Sequence, residues 1–337
     1  MLTLAANALA EIKFSADARV RPRMDITGYY DSADEYLYGS ADMYWLYRAR
    51  LTASAELDGG FMWTAKLGHE AVAMWSKMGT SGTNQMDWML AYFGQKTDRY
   101  SWYLGRVPMA GNLLTDLHYS PTFPLGIPFV LYNNLATTGI KGSVNAGPGT
   151  LDLFYSIEEN NQALEVDSDN KTTYTDQNTV GGGYTFAIAG TKVAAQLLYT
   201  MGDDAFINPM TYGFMAYPSF AGFNLAGGLA MTSEADDAYT GMTYHAGVKK
   251  ALGPGALSFW YRGGSLDFSD HTFVAYDGTP ILYDEATYAY TYLWLTYGFN
   301  YGPVKFMPTW RHMKTLNPDD TYMVRDFFEL TMEIKVK

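Results

Sequence analysis

The sequence predicts an all-β fold, a transmembrane antiparallel β-barrel of about sixteen strands with short periplasmic turns and long extracellular loops. Three observations carry the prediction. Apolar and polar residues alternate with a period of two over long segments, tight connections alternate with long ones, and the composition suits a wall that meets two solvents.

The first segment sets the pattern. From Phe14 to Met24, the residues Phe14, Ala16, Ala18, Val20, Pro22 and Met24 alternate with Arg19, Arg21 and Arg23, so one face is apolar and the other cationic. A soluble sheet buries its apolar face, whereas a membrane barrel turns it to lipid and keeps charge in a wet lumen. From Met43 to Leu57 the alternation returns, with Met43, Trp45, Tyr47, Ala49 and Leu51 set against Tyr44, Leu46, Arg48, Arg50 and Glu56. Asp58-Gly59-Gly60 then turns the chain into a third strand opening on Phe61 and Trp63. After Ala71 to Asn84, a fourth strand sets Met86, Trp88, Leu90 and Tyr92 against Asp87. Gly94 to Asp98 is the next tight turn, Tyr103-Leu104-Gly105-Arg106 closes strand five, and Val107 to Asn134 is a long connection.

Leu135 to Val144 and Thr211 to Tyr217 are strands whose faces Gly and small residues blur. Leu151, Leu153, Tyr155 and Ile157 alternate with Asp152 and Ser156, and Phe223, Leu225, Gly227, Leu229 and Met231 share a parity. Toward the end, Val304, Phe306, Pro308 and Trp310 alternate with Lys305, Thr309 and Arg311; Val324, Phe328, Leu330, Met332, Ile334 and Val336 alternate with Arg325, Glu329, Glu333, Lys335 and Lys337. Tight turns fall at Ala146 to Gly149, Ala189 to Thr191, Pro218 to Gly222, Leu252 to Gly255 and Tyr301 to Pro303. Long connections fall at Asp25 to Ser40, Glu158 to Thr179, Met201 to Met210, Ser233 to Thr240, Gly264 to Ala286 and Met313 to Thr321. Counted along the whole chain, seven tight and eight long connections give an even strand number, with both chain ends on the tight-turn side. Met1 to Ala10 reads as the end of a signal peptide through its Ala8-Leu9-Ala10 step, and residues 11–337 as one barrel domain.

Composition agrees. Charged residues make up 17% of the chain against a usual ~25%, while aromatics reach 16%, with 28 Tyr. Aromatics near strand ends, such as Trp45, Trp63, Trp102 and Tyr288, suit an interfacial girdle. A formal net charge of −12 argues against nucleic acid as a partner. With no cysteine there is no disulfide frame and no thiolate chemistry. Five scattered His, and the absence of H-E-x-x-H, G-x-S-x-G or a phosphate-binding Gly-Lys loop, argue against an enzyme; Asp270-His271 is the one local acid and imidazole pair.

Through Arg19-Val20-Arg21, Tyr47-Arg48-Ala49-Arg50-Leu51, Tyr103-Leu104-Gly105-Arg106 and the long connection after it, the chain resembles Gram-negative outer-membrane porins, including alginate-export and other substrate-specific types. The resemblance implies an outer-membrane channel for passive diffusion of small hydrophilic solutes, among outer-membrane lipids and lipopolysaccharide and with a homotrimer as one expected assembly. It also implies that Val107 to Asn134 folds into the lumen as a constriction. Here that segment is mostly apolar, with Asp116 its only carboxylate.

Strand one should lie between strands two and sixteen. Arg19, Arg21, Arg23, Arg48, Arg50 and Arg325 then form one basic wall, which Arg311 extends. Forked guanidinium donors in a narrow pore would attract carboxylate, phosphate or sulfate, and the expected lean is toward anions. The alternative reading pairs these Arg with Asp17, Glu56, Glu329 and Glu333 across strands. Asp87, Asp116 and Glu70 are expected opposite as facing acids, with Arg106 anchoring the constriction. A channel for amphipathic or apolar cargo, or a plugged barrel with an enzymatic or structural role, is the competing function. No cofactor is expected beyond Ca²⁺ or Mg²⁺ held by carboxylates of the loops Glu158 to Asp176, Ser233 to Asp237 and Asp267 to Glu285.

Overall fold

A computed structural model describes residues 11–69, 76–77, 87–108, 136–158, 164–166, 172–174, 177–201, 210–233, 239–268, 271–274, 280–283, 286–316 and 320–336. Among them, sixteen strands form one closed antiparallel barrel. In chain order these are β1 (Ile12–Tyr30), β2 (Tyr36–Glu56), β3 (Phe61–His69), β4 (Asp87–Lys96), β5 (Tyr100–Pro108), β6 (Ala136–Ala146), β7 (Gly149–Glu158) and β8 (Gln177–Ile188). They continue as β9 (Thr191–Met201), β10 (Met210–Tyr217), β11 (Phe223–Ser233), β12 (Tyr239–Leu252), β13 (Gly255–Phe268), β14 (Ala286–Tyr301), β15 (Val304–Leu316) and β16 (Tyr322–Val336). Each pairs with its sequence neighbours, and β1 closes the ring by pairing with β16, Arg19 opposite Glu333 and Thr27 opposite Arg325.

The tight turns follow from their residues. Between β8 and β9, Ala189 and Gly190 both have positive φ, the mirror-image geometry that matches strand twist; Ala221 and Gly222 repeat it. Gly147, Gly253 and Gly302 take φ of 56 to 58°, each followed by a Pro that presets the next torsion.

The first expected long connection is shorter than its composition suggests. Strands β1 and β2 run on to Tyr30 and Tyr36, leaving only residues 31–35 between them. Gly28 stands opposite Gly39, and a Cβ on Gly39 would run into the Thr27 carbonyl oxygen, so the strands approach closely there. Tyr29 stacks on Tyr38 with ring centroids 4.4 Å apart, and Asp31 closes the tip by accepting from the Ala33 and Glu35 amides at 2.9 and 2.8 Å. Polar and Tyr-rich composition suits a loop, but cross-strand aromatic pairs stabilise sheet equally well.

The two faces are reversed relative to a soluble protein. Outward residues are apolar and exposed, Met43 to 76% and Phe14 to 62%, with Leu104, Leu153 and Phe328 among their company. Arg48 and Arg311 face inward and are only 4% and 3% exposed. In β4 the expected parity breaks. A register shift between Lys66 and Leu67 in its pairing with β3 sends Trp88, Ala91 and Phe93 outward, so Tyr92 turns to the inner side, where it meets Tyr103 edge-on. A bulge of one residue reverses every later side chain, which no period-two reading can anticipate.

Candidate lumen site

All seven arginines of the expected basic wall face inward on four adjacent strands. Arg19 stands opposite Arg48, Asp17 opposite Arg50, Arg23 opposite Glu329, and Arg311 opposite Phe327. Period-two alternation puts the three β1 arginines on one face, and barrel closure brings β15 and β16 against them.

Their charge is shared with four carboxylates. Arg19 Nη2 donates to Glu333 at 2.9 Å, and Lys335 lies 3.2 Å from the same side chain. Glu329, with no exposed side-chain surface, sits 3.4, 2.6 and 2.9 Å from the guanidinium nitrogens of Arg21, Arg23 and Arg311. Asp17 accepts from Arg50 at 2.9 Å and lies 3.6 Å from Arg48. Asp25 accepts a fork from Arg325, Nε at 2.9 Å and Nη2 at 2.6 Å, and a hydrogen bond from the Tyr44 hydroxyl at 2.8 Å. Arg21 Nε also donates to Thr331 at 2.7 Å. Seven cations against four anions leave this arc cationic after cross-strand pairing. The expected cross-strand pairing with Asp17, Glu329 and Glu333 is present, whereas Glu56 meets Lys13, at 3.9 Å, and no arginine of the wall is paired with it in the salt bridges described.

The basic arc extends further than its sequence reading. Arg311 lies over the Trp294 ring at 4.0 Å and donates to the Tyr292 hydroxyl at 3.3 Å. Tyr292 stands opposite Arg262, whose Nε donates to His245 Nδ1 at 2.9 Å, with the Trp260 ring 4.8 Å from the imidazole. The signal was present, because Trp260 and Arg262 alternate with Phe259 and Tyr261. Aromatic residues on both faces mask the alternation there.

The far wall carries an apolar cluster. On β7, β9, β10 and β11, Phe154, Ala194, Leu198, Met215 and Ala230 form an inward apolar cluster. Gly181 between them leaves room for Phe154 and Leu198, since a Cβ there would strike both rings and methyls. Ser156, Thr179, Thr211 and Thr232 flank the cluster, with Ser156 bonded to Thr137 and Thr211 to Thr232. Asp152 is the carboxylate described on that side, and it accepts from Ser143.

The remaining site residues fall as follows. Glu70 and Asp116 lie outside the described residues, as do most acids of the connections expected to hold Ca²⁺ or Mg²⁺, Asp270, and Met1 to Ala10. Asp87 begins β4 opposite Gly68. Arg106 is paired with Ala91 and Thr138 and shares its parity with Leu104 and Ile140, the outward set, so the register gives it a membrane-side position in place of the expected constriction anchor. Sequence parity alone had no fixed face in that Gly-interrupted strand, where Gly105 has φ of 118°. Among the described residues no group of three His, Asp or Glu side chains is arranged to hold a metal ion.

No protein-family model and no curated protein matches this chain. Solved structures do. An anion-selective porin from Comamonas acidovorans superposes with a TM-score of 0.63 at 12% identity, over 97% of this chain and 100% of that one. Pseudomonas putida OprB gives 0.60 at 11% identity, over 96% and 94%. A porin of Rh. blastica carrying two substitutions gives 0.54 at 13% identity, over 97% and 100%. At such identities the likeness establishes the fold, a sixteen-strand porin-type barrel.

Proposed function

We propose that this chain is an outer-membrane porin, a water-filled channel through which small hydrophilic solutes diffuse passively with a preference for anions. The observation that carries the reading is the inward basic arc on β15, β16, β1 and β2, in which seven arginines share four carboxylates. The fold supports it, since its apolar outer face suits lipid and its polar inner face suits water. Low-dielectric walls focus the surplus positive potential along the lumen, raising local anion concentration without any catalytic group. Surrounding lipid and lipopolysaccharide, assembly as a homotrimer, and divalent cations bridging the acidic connections to lipopolysaccharide phosphates belong to the same proposal.

Recording from the full chain in planar lipid bilayers under a salt gradient tests it. An anion-signed reversal potential is expected, and Arg21→Gln with Arg48→Gln should move it toward zero. No conductance, or a cation-signed potential, overturns the reading.

The inward cluster of Phe154, Leu198 and Met215 favours a second reading, selection of solutes with one anionic end and an apolar body. It predicts that a medium-chain carboxylate blocks ion current at lower concentration than acetate does.

A further inference from the structure

The basic arc accounts for the middle of the lumen. A separate set of cations rims one of its mouths. Lys13, Lys96, Lys192, Lys249, Lys305 and Lys335 all have inward parity, all are exposed, and each lies within four residues of the tight-turn end of its strand. The register fixes their direction: Lys192 shares its parity with Ala194 and Leu198, Lys249 with His245, Lys305 stands opposite Glu333, and Lys335 opposite Asp17. They stand on β4, β9, β12, β15, β16 and β1, and so are distributed around the circumference. The described carboxylates at this level are fewer than the cations and mostly engaged: Glu56 meets Lys13, Glu333 is held by Arg19 and Lys335, Asp152 accepts from Ser143, Asp58 and Asp98 sit on turns, and Glu11 precedes the first strand.

Among the described residues the opposite end is richer in carboxylates, with Lys314 an exposed cation held over the Tyr322 ring. At the tip joining β1 and β2, Asp31, Asp34 and Glu35 line a five-residue connection, and Asp42 and Asp320 are exposed near the same end. Among the described residues, charge is therefore separated along the barrel axis, with the lysines at the tight-turn mouth and these carboxylates at the other.

We infer that this lysine collar makes the channel rectify, passing more current when the long-connection side is positive. The inference rests on the channel reading above. Fixed positive charge holds mobile anions at the tight-turn mouth, and fixed negative charge holds mobile cations at the other. With the long-connection side positive, the field drives both populations into the lumen and raises its conductance. The reverse polarity draws each out through its own mouth and depletes the pore.

The test is the current ratio of the full chain at opposite voltages in planar bilayers bathed in about 0.1 M salt, where screening reaches only about 10 Å. Orientation is marked by Ser32→Cys, an exposed uncharged position in the same connection, biotinylated in a sequence that has no other cysteine, with streptavidin added to one side after the recording. A ratio of about two in the stated direction is expected from potentials of several kT at a mouth. The quadruple variant Lys13→Gln, Lys192→Gln, Lys249→Gln, Lys305→Gln should bring the ratio to one, while the corresponding arginine variant keeps it. A symmetric wild-type channel, the opposite sign, or rectification that survives the glutamine variant overturns the collar. If that variant does not insert, wild-type rectification persisting at about 1 M salt overturns it instead. A symmetric channel that keeps an anion-signed reversal potential removes this inference alone, whereas absence of conductance removes the channel reading with it.

Discussion

Arg19 and Arg48 stand directly opposite each other across β1 and β2, two like charges on one face of an antiparallel pair. Such a pair is destabilising by itself. It is tolerated because Glu333 approaches Arg19 from β16 at 2.9 Å and Asp17 approaches Arg48 along β1 at 3.6 Å. The compensation arrives from both sides of the strand, and one side exists only because the barrel closes. The predictions below follow from that shared charge.

Glu329 is the most heavily used carboxylate in the arc, within 3.4 Å of Arg21, Arg23 and Arg311 and without exposed side-chain surface. Glu329→Gln leaves three buried guanidinium groups facing one another. Removing one partner of a buried pair costs about 3–5 kcal/mol. The temperature at which the folded, compact gel species is lost should drop clearly, whereas an unchanged midpoint would mean that solvent already screens the cluster.

Asp25 fixes Arg325 through a forked contact of 2.6 and 2.9 Å. Asp25→Asn removes a negative charge and releases the guanidinium toward the lumen. The reversal potential should move further toward the anion limit, with a stability loss of about 1–3 kcal/mol from the broken charge-assisted bonds. A shift toward cations would contradict the assignment of Asp25 to the inner face.

The reversed faces make a paired test. Leu153→Arg puts a cation on the outward face of β7, where it should cost about 2–4 kcal/mol near the bilayer midplane. Ser54→Arg puts the same side chain on the inward face of β2 and should leave stability within about 0.5 kcal/mol. Urea unfolding from lipid vesicles reads both, and equal costs would count against the membrane orientation.

Anion preference should weaken as salt rises, because the screening length falls from about 10 Å at 0.1 M to about 3 Å at 1 M. The residual preference at high salt reports the buried arginines, which bulk ions screen least. The double variant of Arg21 and Arg48 should remove most of that residue, as read from reversal potentials across a salt series.

Much of the fold is visible in the one-dimensional pattern. The Phe14 to Met24 alternation names the face of β1, and the Gly-Pro and Ala-Gly dipeptides name the tight turns, because strand period and turn torsions are local properties of a few residues. Strand ends were less legible. The Tyr-rich stretch around Gly28 and Gly39 reads as connection until its rings are seen stacked across two strands. Counting puts Tyr92 on the face of Trp88, and one bulge is enough to defeat a count.

The sequence by itself determined that the chain is a sixteen-strand barrel with an arginine-rich inner face near its start, because alternation, turn chemistry and connection length are written locally. Tertiary structure alone decided what those arginines do. Glu329 and Glu333 lie some three hundred residues from Arg19 and Arg21, and only closure of the barrel brings them within 3.4 Å. The same closure set an apolar cluster against the basic arc and gathered six lysines from scattered strands around one mouth. Electrostatic interactions depend on distance in space, and distance along the chain does not encode it.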